Sequence, residues 1–428
     1  MPVDKRMKAQ AQLILNGHPG AAAHPAPDQW DGIDDFDYLY REYAILARAQ
    51  DAEEVAAALR QILDHAGNGD LPEGDAREIQ REPVSRGIVR LKVPPTQTLV
   101  PHLIGRLDEI LGPGVAKPEH EVFLCPFTCP PVEPQVVSAA TTAPLPSPDL
   151  SHRVPWPGND GSGVNVRIVD TGLMPGANPE YPWLTGVLGT PEPYTTDGNG
   201  NTVIAPYAGH GTFVAGILRS VAPKASVFVE RAFETAGANY ETNVMTLIDN
   251  ALDQNPDILV FAFTSATHRD QSLHTFDELY ERRIRGTKGL VVLAPAGNDG
   301  SSRPMWPAAH PGVIAVGALA ANWRDRAKFS GFGRWVDVYA PGEDLVNAFP
   351  EGIYEYNEPP NPGERRQFNG MAQWSGTSFS TPVVAGLIAA RMSQTGQHAL
   401  QAWDSLHRFA ASQAIPGVGP VLYPGQAS

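Results

Sequence analysis

The sequence predicts a doubly wound α/β domain with a mostly parallel sheet, preceded by a small α+β domain. Three observations carry this. Beyond residue 160, short β-branched runs alternate with segments of helical spacing. Within 36–128, two strand-then-helix units are followed by one more strand. A stretch dominated by Pro, Ser, Thr and Ala, 129–160, separates the two. At 428 residues the chain is long enough for two or three domains with real cores.

Residues 1–35 are rich in Ala, Pro, Gly and His, show no sustained periodicity, and read as a mobile arm. "REYAILARAQ" suits a strand. In "DAEEVAAALRQILDH" Asp51 can cap a helix, Glu53 and Glu54 favour its first turn, and Val55, Leu59, Ile62 and Leu63 form an apolar face. After a Gly/Pro/Asp-rich break, "GIVRLKVP" is a second strand and "TQTLVPHLIGRLDEILG" a second helix, with Pro101 near its start. "HEVFLCP" is a further strand, so 36–128 reads as an α+β sandwich of ferredoxin-like type. The stretch 129–160 is a linker or an extended segment lying on a surface. Cys125 and Cys129, in "LCPFTCPP", have no further Cys or His at ligand spacing and read as reduced thiols, the alternative being a short-loop disulfide.

In 161–428 the runs "VNVRIVD", "ASVFVE", "DILVFAF", "GLVVLAPAG" and "GVIAVGAL" are strands, with "NYETNVMTLIDNALDQ" a helix among them. Buried strands alternating with helices make a parallel sheet covered on both faces. Sites in such sheets form at the C-terminal strand ends. Four residues stand at such places. Asp170 closes "VNVRIVD", and His210 sits between two glycines at the helix start of "YAGHGTFVAGIL". Asn298 follows "LVVLAPAG", and Ser378 lies in "QWSGTSFSTPVVAGLIAARM", a loop turning into a helix with Pro382 in its first turn. Singly, each reads as well as a cap or a turn residue; Ser378 or Ser380 would be the helix cap. Together they are the groups that acyl transfer needs. A serine nucleophile requires an imidazole to take its proton, the imidazole a carboxylate to fix its tautomer, and the tetrahedral intermediate a donor at its oxyanion.

The pieces "IVDTG", "GHGT", "APAGN" and "SGTSFSTP", in that order, resemble the subtilisin family of serine endopeptidases. The likeness runs from about Val164 to Met392 and includes "VAPKASV", "GVIAVGA" and "YAPGEDL". It implies a subtilisin-like sheet and hydrolysis of peptide or protein substrates through an acyl-enzyme. By carry-over, Asp170 orients His210, His210 is general base and then general acid, and Ser378 attacks the carbonyl. Asn298 and the Ser378 backbone N–H form the oxyanion hole. Phe263, Thr264 and Ser265 on one strand end, with Ala296 and Gly297 on the next, border the substrate. No cofactor and no metal is expected. The family is commonly made with a small α+β prodomain that assists folding and then blocks the cleft; the resemblance implies that role, the chain's own inhibitor and chaperone, for 36–128, the alternative being an unrelated partner-binding domain.

The chain departs from the family pattern in places. A second His often follows GHGT; here the residue is Phe213. "GILRSVAPKASV" passes directly to the next strand, so the calcium loop common after that helix is missing. The oxygen-rich "TTDGNGNT", Thr195 to Thr202, reads as a turn rather than a metal site. Ser265 and Ala266 stand where glycines usually border the substrate, and the insert "YEYNEPPNPGERRQF" reads as a surface loop.

The formal charge of −15 argues against nucleic acid or an anionic membrane as partner. No apolar run approaches the roughly 18 residues of a membrane span. The first residues lack a signal-peptide core, so the chain as given reads as cytoplasmic, and as secreted if its start is misassigned. Three rival readings make different demands on the sequence. A lipase-type hydrolase would want G-x-S-x-G and the order Ser, Asp, His. A sedolisin would carry Glu and Asp where His210 and Asn298 stand. A catalytically silent peptide-binding or scaffold protein is the rival from another class.

Overall fold

The computed structural model describes residues 5–30, 37–65, 78–95, 99–124, 133–137, 160–175, 181–233 and 236–424. Cys125, Cys129 and most of the stretch 129–160 lie outside these residues.

The N-terminal module begins with α1 (Lys5–Gly17) and β1 (Ala21–His24). It continues through β2 (Tyr38–Arg48), α2 (Ala52–His65), β3 (Gln80–Pro83), β4 (Ile88–Lys92), α3 (Val100–Leu111) and β5 (Ala116–Leu124). Its sheet runs β5-β2-β4-β3, all antiparallel, which is the βαββαβ order of a ferredoxin-like sandwich. Val55, Leu59 and Leu63 of α2 and Leu103, Ile104 and Leu107 of α3 close over Ile45 and Leu91 to make its core. Pro101 falls in the first turn of α3, where its missing N–H costs nothing. β3 is too polar to stand out as a strand; its partner β4 defines it.

The expectation of a mobile arm in 1–35 is corrected for the described part. β1 pairs antiparallel with β2, and Ala11 and Ile14 of α1 are fully buried. They pack with Leu39, Phe123, Ala236 and Ala238, residues distant in sequence, so local periodicity could not reveal that burial.

The larger domain opens with β6 (Gln135–Val136), β7 (Asn165–Asp170), β8 (Leu188–Gly189), β9 (Thr195–Thr196) and β10 (Thr202–Ile204). There follow α4 (His210–Val221), β11 (Ser226–Arg231), β12 (Ala238–Tyr240), α5 (Glu241–Leu252), β13 (Ile258–Phe261), β14 (Phe263–Thr264), α6 (His274–Leu279), β15 (Val291–Pro295) and β16 (Ile314–Leu319). β17 (Val338–Pro341), β18 (Leu345–Glu355), β19 (Arg365–Trp374), α7 (Thr377–Thr395) and α8 (Ala399–Ser412) complete it. The order β17-β16-β15-β13-β7-β11-β8 is parallel throughout. α4 and α7 pack on each other, α7 lying along β13, β15, β16 and β17. α5 and α6 pack together and meet the module at β5 and β2. The doubly wound sheet expected from the sequence is the one observed.

A second sheet, β6-β19-β18-β10-β9, was not foreseen. The insert expected as a surface loop forms the far half of the β18–β19 hairpin, paired as far as Glu355 with Arg365. Its prolines and glycines occupy the turn, while Tyr354, Tyr356 and Phe368 are buried. No helix among the described residues is long and apolar enough to cross a membrane.

β5 joins module to domain. Its Glu121–Phe123 pairs antiparallel with β12, and its Phe123–Leu124 with β14. Past the undescribed residues the chain reappears at β6, paired with Ala372 and Gln373 of β19. The contact between module and domain is polar as well as apolar. Arg90 donates to both oxygens of the buried Glu119 at 2.7 Å, and to Thr242 of α5 at 2.9 Å. His120 Nδ1 donates to Glu241 at 3.1 Å while its Nε2 accepts the His268 backbone N–H at 3.0 Å, which fixes one neutral tautomer.

Candidate active site

Asp170 is the last residue of β7, at the C-terminal edge of the parallel sheet. Its carboxylate takes the Thr171 N–H at 2.6 Å and faces the His210 Nδ1, which is 2.9 Å from both carboxylate oxygens. Donation from Nδ1 leaves Nε2 as the basic nitrogen of the neutral ring. Both side chains are fully buried.

The glycines flanking His210 are explained by space and backbone. Gly209 caps α4 at φ 86°, a left-handed conformation that favours glycine. At Gly211 a Cβ would collide with the carbonyl oxygen of Gly172, so only glycine lets α4 start this close to the loop after Asp170. The Gly211 N–H donates to Thr171 Oγ1 at 3.0 Å.

Ser378 is the second residue of α7, behind the cap Gly376, and its hydroxyl donates to the carbonyl of Ala262 at 3.2 Å. Ala262 lies between β13 and β14, so the serine meets the strand end that pairs with β5. Pro382 is the sixth residue of α7 rather than a first-turn residue. It has no N–H, so it cannot take the Ser378 carbonyl into the usual i→i+4 bond. Nor does a side chain cap the helix; the Ser380 and Thr381 hydroxyls donate to the Thr377 carbonyl at 2.9 and 2.8 Å.

Asn298, just past β15, has its Oδ1 taken by the Thr377 N–H at 2.8 Å and the Thr377 hydroxyl at 2.9 Å. That fixes the amide, with Nδ2 as the donor end on the Gly376 side. The His210 ring is walled by Trp374 and Phe379, centroids 5.2 and 5.0 Å away. Phe213, in place of a second His, packs tilted against Phe379, centroids 4.7 Å apart, and extends this wall.

A family model, the subtilase family of peptidases, matches residues 161–408, more than half of the chain. The chain belongs to the subtilase family. It is a serine-type endopeptidase, and peptides or proteins are its substrates. Thermitase from Thermoactinomyces vulgaris is 31% identical over 253 residues, covering 56% of this chain and 78% of thermitase. Subtilisin DY from Bacillus licheniformis is 28% identical over 251 residues, covering 55% and 79%. Among solved structures, fervidolysin from Fervidobacterium pennivorans, a keratinolytic enzyme related to subtilisin, aligns with TM-score 0.55 at 18% identity. That alignment covers 90% of this chain and 60% of fervidolysin, and it shows a shared fold.

Of the residues expected to border the substrate, Phe263 and Thr264 pair with Leu124 and Phe123 of the subtilase's own module. The Ser265 hydroxyl donates to the Glu121 carbonyl at 2.7 Å, and its backbone bonds Trp306. Ala296 and Gly297 lie at the neighbouring strand end, where Ala296 bonds Val316, Gly297 accepts from Gly331, and Met305 covers Gly297.

In this subtilase α4 reaches β11 across residues 222–225, as the sequence implied for a missing calcium loop. Asp197 in "TTDGNGNT" accepts the N–H groups of Asn199 and Asn201 at 2.9 Å, the bonds of a hairpin turn. Among the described residues no group of three His, Cys, Asp or Glu is arranged to hold a metal. Sequence reasoning missed Ala262, Thr377 and β12. Thr377 was inside the quoted motif; the short "ANY" of β12 carried no signal without its partner β5.

Proposed function

We propose that this subtilase cleaves peptide bonds by acyl transfer, with Ser378 as nucleophile, His210 as general base and then acid, and Asp170 orienting the imidazole. The observation that carries the reading is the bond from His210 Nδ1 to the Asp170 carboxylate, which makes Nε2 the proton acceptor. When Ser378 attacks, its proton passes to Nε2 and the imidazolium is stabilised by Asp170. The substrate carbonyl oxygen becomes an oxyanion that accepts from Asn298 Nδ2 and the Ser378 N–H, beside the positive end of α7. His210 then gives its proton to the leaving amine, and a water repeats the sequence on the acyl-enzyme. Ser378→Ala tests this: turnover of a peptide substrate is lost while the melting temperature stays near wild type. Normal peptidase activity in that variant would end the assignment.

The same reading takes the N-terminal module as a prodomain that occupies the cleft. Its support is that β5 lies as an extended strand between β12 and β14, the way peptides add to sheet edges. Ser378 and His210 have no exposed surface in the full-length chain, so substrate must displace what covers them. Beyond the break, β6 is fixed to the domain: Glu133 accepts from Tyr354 at 3.1 Å, from the Asn357 N–H at 2.9 Å and from the Glu358 N–H at 3.1 Å. Processing is therefore expected to separate Leu124 from Glu133. Intact masses of wild type and Ser378→Ala test it. A wild-type enzyme active on peptides while still full length would mark the module as a permanent domain instead.

A further inference from the structure

Glu192 lies between β8 and β9, away from the four motif residues, and is 4% exposed. Its Oε2 accepts the backbone N–H of Gly209 at 2.8 Å and the Tyr194 hydroxyl at 3.1 Å. The Thr171 side chain faces the same carboxylate. Its hydroxyl oxygen in turn accepts the Gly211 N–H at 3.0 Å. Gly209 and Gly211 are the two chain neighbours of His210. Thr171 directly follows Asp170. One carboxylate thus ties both flanks of the base, once directly and once through Thr171, and links them to the residue that orients the imidazole.

A neutral acceptor would serve a tie alone, and a buried carboxylate beside a second one is costly. Two donors converge on Glu192, the Gly209 N–H and the Tyr194 hydroxyl, and the Thr171 side chain faces the same carboxylate. An acceptor-only group satisfies both donors, whereas an amide would set its own NH₂ among them. The charged and titratable groups around it are Tyr194 on its own segment, Asp170 at the end of β7, and His210 at the head of α4. Arg231 of β11 lies nearby, its guanidinium on the Pro191 carbonyl at 3.0 Å.

We propose that Glu192 is a positioning residue for the general base: it fixes the entry of α4 so that His210 meets Asp170 in working geometry, and it places negative charge behind the imidazolium that forms during acylation. This rests on the roles given above to His210 and Ser378. Burial raises the Glu192 carboxyl to about 7, with Asp170 adding to the rise, so its charge is present from neutrality upward.

The test is Glu192→Gln, which keeps volume and an acceptor but removes the charge. The processed enzyme is assayed on a peptide substrate from pH 5 to 10, with the melting temperature measured alongside. The expected result is a kcat lowered at least fivefold with KM within twofold of wild type. The acid limb of kcat/KM should also move to lower pH, because an imidazolium with less negative charge nearby gives up its proton more easily. Thr171→Val, which cuts only the route to Gly211, should lower kcat by a smaller factor. A wild-type kcat and pH profile in both variants, or a loss confined to thermal stability, would overturn the proposal. Reaction of the wild type with a fluorophosphonate separates the two readings. An unreactive wild type defeats the triad assignment, whereas a reactive wild type with an indistinguishable Glu192→Gln defeats the role of Glu192.

Discussion

Thr377 grips the side-chain oxygen of Asn298 with two donors, its backbone N–H at 2.8 Å and its hydroxyl at 2.9 Å. The residue before the proposed nucleophile therefore sets the amide of the proposed oxyanion donor, and the two halves of the hole are built as one unit. Asn298→Ala should lower kcat by roughly 10²–10³, about 3–4 kcal/mol, the loss found when the corresponding donor of subtilisin itself is removed. Thr377→Val keeps the N–H and loses the hydroxyl, so its kcat should fall by a smaller factor with KM unchanged. Steady-state kinetics on one peptide compare the two; an Asn298→Ala enzyme with wild-type kcat would remove the residue from the mechanism.

The Asp170 carboxylate sets the tautomer of His210. Asp170→Asn preserves shape but offers an NH₂ to Nδ1, which then has to accept, and the wrong nitrogen carries the proton. A fall in kcat of about 10⁴ is expected, as for the same exchange in a Ser-His-Asp protease. Circular dichroism of the variant should match wild type, since the change is one of hydrogen-bond direction. A loss below tenfold would contradict the orienting role.

Glu121 gives the docked module a pH dependence. Burial raises its carboxyl to about 8; the nearby charged and titratable groups are Arg41, Glu119, Tyr240 and His18. A carboxyl raised on folding binds its proton more tightly in the docked state than in the open chain. Its contribution is fully present below the ordinary carboxylate pKa and is lost as pH climbs towards about 8. Thermal unfolding of Ser378→Ala, held unprocessed, should thus show module stability falling between about pH 4.5 and 8. Adding Glu121→Gln should flatten that slope. An equal slope with and without Glu121 would assign it to other groups.

Because α4 runs into β11 with no ion-binding loop between them, EDTA should leave the melting temperature nearly unchanged, no ligand of the native state being removed there. A drop of many degrees on chelation, restored by calcium, would reveal a metal site elsewhere in the chain.

The sequence made the parallel strands and their catalytic ends legible because buried strands are uniform apolar runs and functional residues sit where those runs stop. Asp170 and Asn298 stand out for that reason, whereas His210 and Ser378 stand at helix starts and take their expected roles from the motif resemblance; the geometry brings Asp170 to His210 and Thr377 to Asn298. What stayed hidden depends on partners distant in the chain. α1 is buried only because Phe123 and Ala238 meet it. The β18–β19 hairpin is rich in charge and proline at its tip, and it is a sheet only because its inner face lies over buried aromatics. Glu192 had no motif to mark it, since its partners are the Gly209 backbone and the Tyr194 hydroxyl.

Ser378 is proposed as an activated nucleophile in a cleft that the chain's own module fills. Fluorophosphonate labelling, with the adduct located by peptide mass spectrometry, tests this most directly. The expected result is a single adduct on Ser378, strong in the processed enzyme, weak in any unprocessed chain, and absent from Ser378→Ala. An active enzyme whose adduct maps to another serine, or one that Ser378→Ala takes up equally well, would contradict it.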